Sequence, residues 1–277
     1  MGVVHHSASL GTSPRRKMRI ILIAAVATTC AALTARSSVA PARIGPRSAE
    51  QQGTEFFTLD MCPYAQRVWI VLEELGVDYE RLEVNLRDEA QRQAFEEAVN
   101  PRGKVPALRD ESVTLFESLI ICEYLAAKHG ADSLMPSGDA ALAARIRMWN
   151  EHLDTQLAPA HFTLLMNKDE ASEADKAAVL ERALAYYEER LAGPFLCGAD
   201  FTLADAAALP FFERLVFSLR HFKKLEPLKG YPRTAAWLEA AMARPSFRAT
   251  ERPEDKLVAL YERFLAVDYS FGGMNRN

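Results

Sequence analysis

Phe56-Phe57-Thr58-Leu59-Asp60-Met61-Cys62-Pro63-Tyr64-Ala65-Gln66-Arg67 is the stretch on which the fold turns. A short β-prone run over 56–59 is broken at Asp60, and helical apolar spacing then runs over 65–75 to a stop at Gly76. Cys62 therefore falls between a strand and a helix. Pro63 occupies the first helical turn, where the missing N–H has no intrahelical partner to lose. A thiol placed there meets free backbone donors and the positive end of the helix dipole. Both favour the thiolate, so the expectation is a lowered pKa and a nucleophilic cysteine. The competing reading is a buried structural cysteine.

Working outward, 79–85 alternates like a second strand, and 88–99 reads as an acidic helix ended by Asn100-Pro101. Two short strands follow over 105–108 and 112–116, joined by polar residues, and a helix over 118–129 stops at Gly130. Beyond Asp139 strand signals vanish. Helical spacing covers 140–157, 173–192, 203–221, 232–243 and 254–266, with breaks at Pro159, Gly193-Pro194, Gly230 and Pro245. Thr202-Leu203-Ala204-Asp205 has capping-box spacing at the start of one of these helices. The expected architecture is an α/β domain over 53–130 followed by an all-α domain over 139–268.

The 277 residues are 25% charged and 49% hydrophobic, which permits real cores and excludes a disordered or fibrous chain. Of the 33 basic and 37 acidic residues, seven and one lie in the first fifty, leaving 26 and 36 and a net charge of −10 on the remainder. An acidic body under a basic leader argues against nucleic-acid binding. Within the leader, Arg15, Arg16, Lys17 and Arg19 precede an uncharged apolar run over 20–35. That run is short for a membrane span and is followed by small residues suited to cleavage, the pattern of a signal peptide. The stretch 36–49, rich in Ser, Ala, Pro and Arg, has transit-peptide composition. Residues 1–52 are thus read as a targeting leader, disordered or removed. Two destinations stand open: a plastid, through a bipartite leader, or the secretory pathway with a spacer after the signal.

Cys62-Pro63-Tyr64-Ala65-Gln66-Arg67 resembles the cysteine motif of the omega, lambda and dehydroascorbate-reductase classes of glutathione transferases, and more distantly that of glutaredoxins. The resemblance covers nearly all of 55–268 and favours an omega-like class. It implies a thioredoxin-like N-terminal domain and an α-helical C-terminal domain. Asn100-Pro101-Arg102-Gly103-Lys104-Val105-Pro106 is similar to the family's cis-proline turn, in which the position of Val105 offers its backbone to the cysteinyl part of glutathione. Glu117-Ser118 is similar to the pair that takes the γ-glutamyl end, carboxylate to ammonium and hydroxyl plus helix N-terminus to carboxylate; the plain alternative for Ser118 is a helix cap. Tyr64 belongs to the same implied glutathione site. Lys104 and Arg92 fall where members place a basic group near the glycyl carboxylate, against a solvated charge for Arg92. Trp237 falls where an aromatic lines the second-substrate pocket, against a core aromatic on an amphipathic helix.

Ala65 occupies the place of a second cysteine, so a mixed disulfide at Cys62 would be resolved by an outside thiol. The implied activity is a glutathione-dependent thiol transferase and reductase, acting on a small disulfide or electrophile, dehydroascorbate or a glutathionylated protein. The alternative is a non-catalytic module of the same fold that binds or interacts. Glutathione is the expected co-substrate, with no metal, no membrane-spanning segment in the body, and a homodimer. Cys122 reads as a small core residue and Cys197 as a loop thiol.

Overall fold

The computed structural model describes residues 1–2, 40–41, 44–45, 53–111 and 113–267. The apolar run over 20–35, nearly all of the transit-like stretch and Cys30 lie outside the described residues. The first half of the body is a sheet with helices. Strand β2 (Thr54–Thr58) leads through the Cys62 turn into α1 (Pro63–Leu75); then come β3 (Tyr79–Glu83), α2 (Glu89–Ala98), β4 (Ala107–Arg109), β5 (Thr114–Phe116) and α3 (Ser118–Lys128). Strand β2 pairs in parallel with β3 and antiparallel with β4, and β4 pairs antiparallel with β5. This is the expected thioredoxin-like order.

A two-residue strand, β1 (Ala40–Pro41), adds itself in parallel to the outer side of β3, in register with Leu82 and Glu83. Shortly after it, the Gly45 carbonyl accepts from Arg109 Nη1 at 3.0 Å, and Ile44 packs on the apolar cluster around Phe57. The leader boundary expected at residue 52 thus falls later than the first residues that join the sheet. No signal in the Ser/Ala/Pro-rich stretch announces so short a pairing.

Alternation along β2 sends Phe56 and Phe57 to opposite faces. Phe57 packs with Leu82, Val84, Phe95 and Val99 beneath α2. Phe56 joins Val68, Leu72, Leu108, Ile121 and Leu125, and that cluster continues without a break into the helical half. There the chain forms α4 (Ala140–His152), a π-helical turn (Leu153–Leu157), α5 (Ala158–Leu165), α6 (Glu173–Arg190), α7 (Leu203–Ser218), α8 (Pro232–Met242), α9 (Pro245–Thr250) and α10 (Glu254–Ala266). The break expected at Pro159 does not end the helical course. The proline sits in the first turn of α5, and the wider π turn before it relieves the clash its ring would otherwise make. Asp205 closes the capping box on α7 from a fully buried position, accepting from Thr202 N and Leu196 N at 2.8 Å each. Among the described residues no helix is long and apolar enough to cross a membrane.

Candidate functional site

Cys62 is the N-cap of α1, with Pro63 opening the helix and the Cys62 N–H donating to Leu59 O at 2.9 Å. The thiol is half-buried, and its Sγ lies 4.0 Å from the carbonyl of Val105. The Val105–Pro106 bond is cis. The loop bearing it is held by Asn100, 1% exposed, whose Nδ2 donates to Lys104 O at 2.6 Å and whose Oδ1 accepts from Arg102 N at 3.0 Å. Sequence-distant pieces, the α1 N-terminus and the loop before β4, are thereby brought into contact at the sulfur.

Burial pushes the Cys62 thiol above its ordinary value. The backbone amides of Ala65 and Tyr64, then the guanidinium groups of Arg214 and Arg67, pull it down, and burial prevails. The expected lowering is therefore corrected. The helix end supplies its donors as anticipated, but the packing that removes water from the thiolate outweighs them.

Glu117 immediately precedes α3 with φ +72, the left-handed region that a side chain adopts only under constraint. Its Oε1 accepts from Arg102 Nη1 at 2.5 Å. Ser118, the first residue of α3 and buried, has its hydroxyl within 3.3 Å of Arg67 Nη1. Arg67 itself is wholly buried. It donates from Nε to Ala207 O at 3.0 Å, pairs with Asp154 on the π turn, and lies over the rings of Phe211 and Tyr64 at 4.4 and 5.0 Å. Ala207 stands three residues before Pro210 within α7. Arg214 reaches from α7 to Met61 O at 3.3 Å and to Gln66 Oε1 at 2.7 Å.

Cys62, Val105 and Pro106 come together, and Glu117 and Ser118 stand side by side at the start of α3. Tyr64 packs its ring edge-on to Phe211, centroids 5.0 Å apart. Lys104 is exposed on the loop. Arg92 is committed to its own helix, paired with Glu89 and Glu96, which favours the solvated-charge reading. Trp237 does not line a pocket. It is 1% exposed, packed edge-on to Phe212, and donates its indole N–H to Asp205 at 2.8 Å, so it is a core residue. Sequence reasoning gave no role to Arg67, Arg214, Asp154 or Arg102. The signal for the first two was an arginine inside an otherwise apolar helical run, which demands buried partners.

Comparison with known proteins agrees with this geometry. Residues 56–133 match the glutathione S-transferase N-terminal domain family and residues 169–240 the C-terminal domain family. Glutathione S-transferase 3 of Zea mays is 34% identical over 213 residues, 71% of this chain and 92% of that protein. Glutathione S-transferase L1 of Arabidopsis thaliana is 30% identical over 213 residues, 76% of this chain and 87% of that one. Among solved structures, glutathione transferase Omega 3C from Trametes versicolor superposes with a TM-score of 0.68 at 26% identity, covering 86% of this chain and 97% of its own. Fold and site define a thioredoxin-like domain joined to a helical one. The chain belongs to the glutathione S-transferase family, whose members use glutathione.

Proposed function

We propose that this chain is a glutathione-dependent thiol transferase and reductase of the omega-like kind, working through a mixed disulfide at Cys62. The observation that carries the reading is the placement of the sulfur at the N-terminus of α1, 4.0 Å from the carbonyl of Val105 in the cis-proline loop. In the first step the Cys62 thiolate attacks the glutathione sulfur of a mixed disulfide. The old S–S bond breaks, a Cys62–glutathione disulfide forms, and the other thiolate departs and takes a proton. In the second, a glutathione thiolate attacks the glutathione sulfur held on Cys62, releasing oxidised glutathione and restoring the Cys62 thiolate. The bound sulfur compound is reduced by two electrons, and two glutathione units end as the disulfide.

A thiolate at Cys62 would repel a neighbouring glutathione thiolate, which suits this exchange better than activation of glutathione for conjugation. A homodimer is part of the same reading, and Ile120 on α3 and Met148 on α4, 57% and 59% exposed, offer apolar surface for it. Work through reduced glutathione fits a reducing organelle, and so the plastid destination over secretion. The raised thiol favours the second reading, a binding module without turnover.

Incubation with oxidised glutathione followed by intact mass and peptide mapping separates the two. One glutathione on Cys62, with reductase activity abolished in Cys62→Ser, is the expected result. Adducts confined to Cys122 or Cys197, or full turnover in the variant, would overturn it.

A further inference from the structure

The turn at 100–106 carries an arginine to which the proposed function assigns no part. Asn100 fixes the backbone of Arg102 from a buried position. Gly103 follows at φ +59, in the left-handed region that glycine adopts without strain. From this anchored backbone the Arg102 guanidinium passes over the Phe116 ring at 5.3 Å and meets Glu117 Oε1 at 2.5 Å. The two side chains are 60% and 47% exposed, and an ion pair that open to water adds little to stability. Its position says more than its strength. The guanidinium holds the Glu117 carboxylate, and Glu117 is itself the N-cap of α3, next in sequence to Ser118. A carboxylate paired with a guanidinium sets an acceptor and a donor side by side, the complement of an α-amino acid head, where ammonium and carboxylate share a carbon.

We propose that Arg102 is a specificity-determining residue that recognises the α-carboxylate of the γ-glutamyl group. Glu117 keeps one oxygen on the guanidinium and presents the other to the substrate ammonium, since a carboxylate can accept at both oxygens. The guanidinium, with five donors in a planar fork, turns its remaining N–H groups to the substrate carboxylate. Arg102 and Glu117 thus read the zwitterion as a unit, and a thiol lacking either charge loses part of the match. This inference rests on the glutathione reading above.

The test compares the wild type, Arg102→Gln and Arg102→Lys in the reduction of one small disulfide driven by glutathione, by 4-aminobutyryl-Cys-Gly, which lacks the α-carboxylate, or by glutaryl-Cys-Gly, which lacks the ammonium. Arg102→Gln should raise KM for glutathione about tenfold with little change in kcat, the scale of one charge-assisted hydrogen bond. The preference in kcat/KM for glutathione over 4-aminobutyryl-Cys-Gly should fall by a similar factor, and Arg102→Lys should recover part of it. Equal losses on both thiols would show a merely structural part for the turn, and a lowered KM would show that Arg102 screens Glu117; either result, or no change, overturns the proposal. Dithiothreitol as reductant separates this failure from that of the parent reading. If wild-type turnover runs with dithiothreitol and not with glutathione, the glutathione reading itself fails and this one with it.

Discussion

At Cys62 two local effects oppose each other, and their balance sets the chemistry. The α1 N-terminus and the cations Arg214 and Arg67 favour the thiolate; burial disfavours it and wins. In the substrate-free protein the thiol therefore titrates above an ordinary cysteine. A raised pKa leaves less thiolate at neutral pH, yet that thiolate is a stronger nucleophile and a poorer leaving group. Under the proposed mechanism a mixed disulfide at Cys62 should thus persist long enough to be weighed, with its resolution the slow step. The rate of Cys62 alkylation by iodoacetamide, followed by peptide mass, is expected to keep climbing through pH 9. A plateau reached by pH 7 would mean that the helix end prevails over burial. The sequence showed the donors, because strand, Cys, Pro and helix are all readable in order. It could not show desolvation in full, because the groups that close on the sulfur include Val105 of the cis-proline loop, 43 positions away.

Among the elements, prolines separate what was legible from what was not. Pro63, Pro159, Pro232 and Pro245 each stand in the first turn of a helix. Read as stops, Pro159 and Pro245 concealed α5 and α9; as starts they fit the tolerance of a first turn for a missing N–H. The alternations at Phe56-Phe57 and along 79–85, and the Thr202–Asp205 box, were visible because their causes are local. Strand β1 was not, since its pairing partner is β3 and its composition is that of a leader. Its neighbourhood nevertheless has energetic content. Arg109 is buried, and its hydrogen bond to Gly45 O and the packing of Ile44 belong to the folded body. A chain beginning at residue 53 should be less stable than one beginning at residue 39 by about 2 kcal/mol, one charged hydrogen bond and some apolar contact. In thermal melts this corresponds to roughly 4–8 °C. Superimposable melts would show that the segment adds nothing.

At the scale of the whole molecule, the two halves are tied along the length of α1 by arginines of the helical half. Arg214 holds Met61 O and Gln66 at its beginning, and Arg244 makes two 2.7 Å bonds to Glu74 at its end. Between them the direction reverses: Arg67, rooted in α1, reaches across to Asp154 and Ala207. A buried guanidinium is tolerated only while its partners are in place, so the fit between the halves is fixed by charge as well as by the continuous apolar core. Asp154 is a third exposed, which softens the cost of losing it. Asp154→Ala should still destabilise the chain by about 2–3 kcal/mol, just below the range for breaking a fully buried pair, since Arg67 keeps Ala207 O and the Ser118 hydroxyl. Because the pair spans both halves, the loss should appear as one shifted transition and not as early melting of one half. Trp69 in α1 and Trp149 and Trp237 in the helical half allow tryptophan fluorescence to report on both parts, with far-UV circular dichroism as the second probe. Coincident curves displaced together are expected. Separation into two transitions, in the wild type or the variant, would overturn the view that α1 and its arginines make the two halves a single cooperative unit.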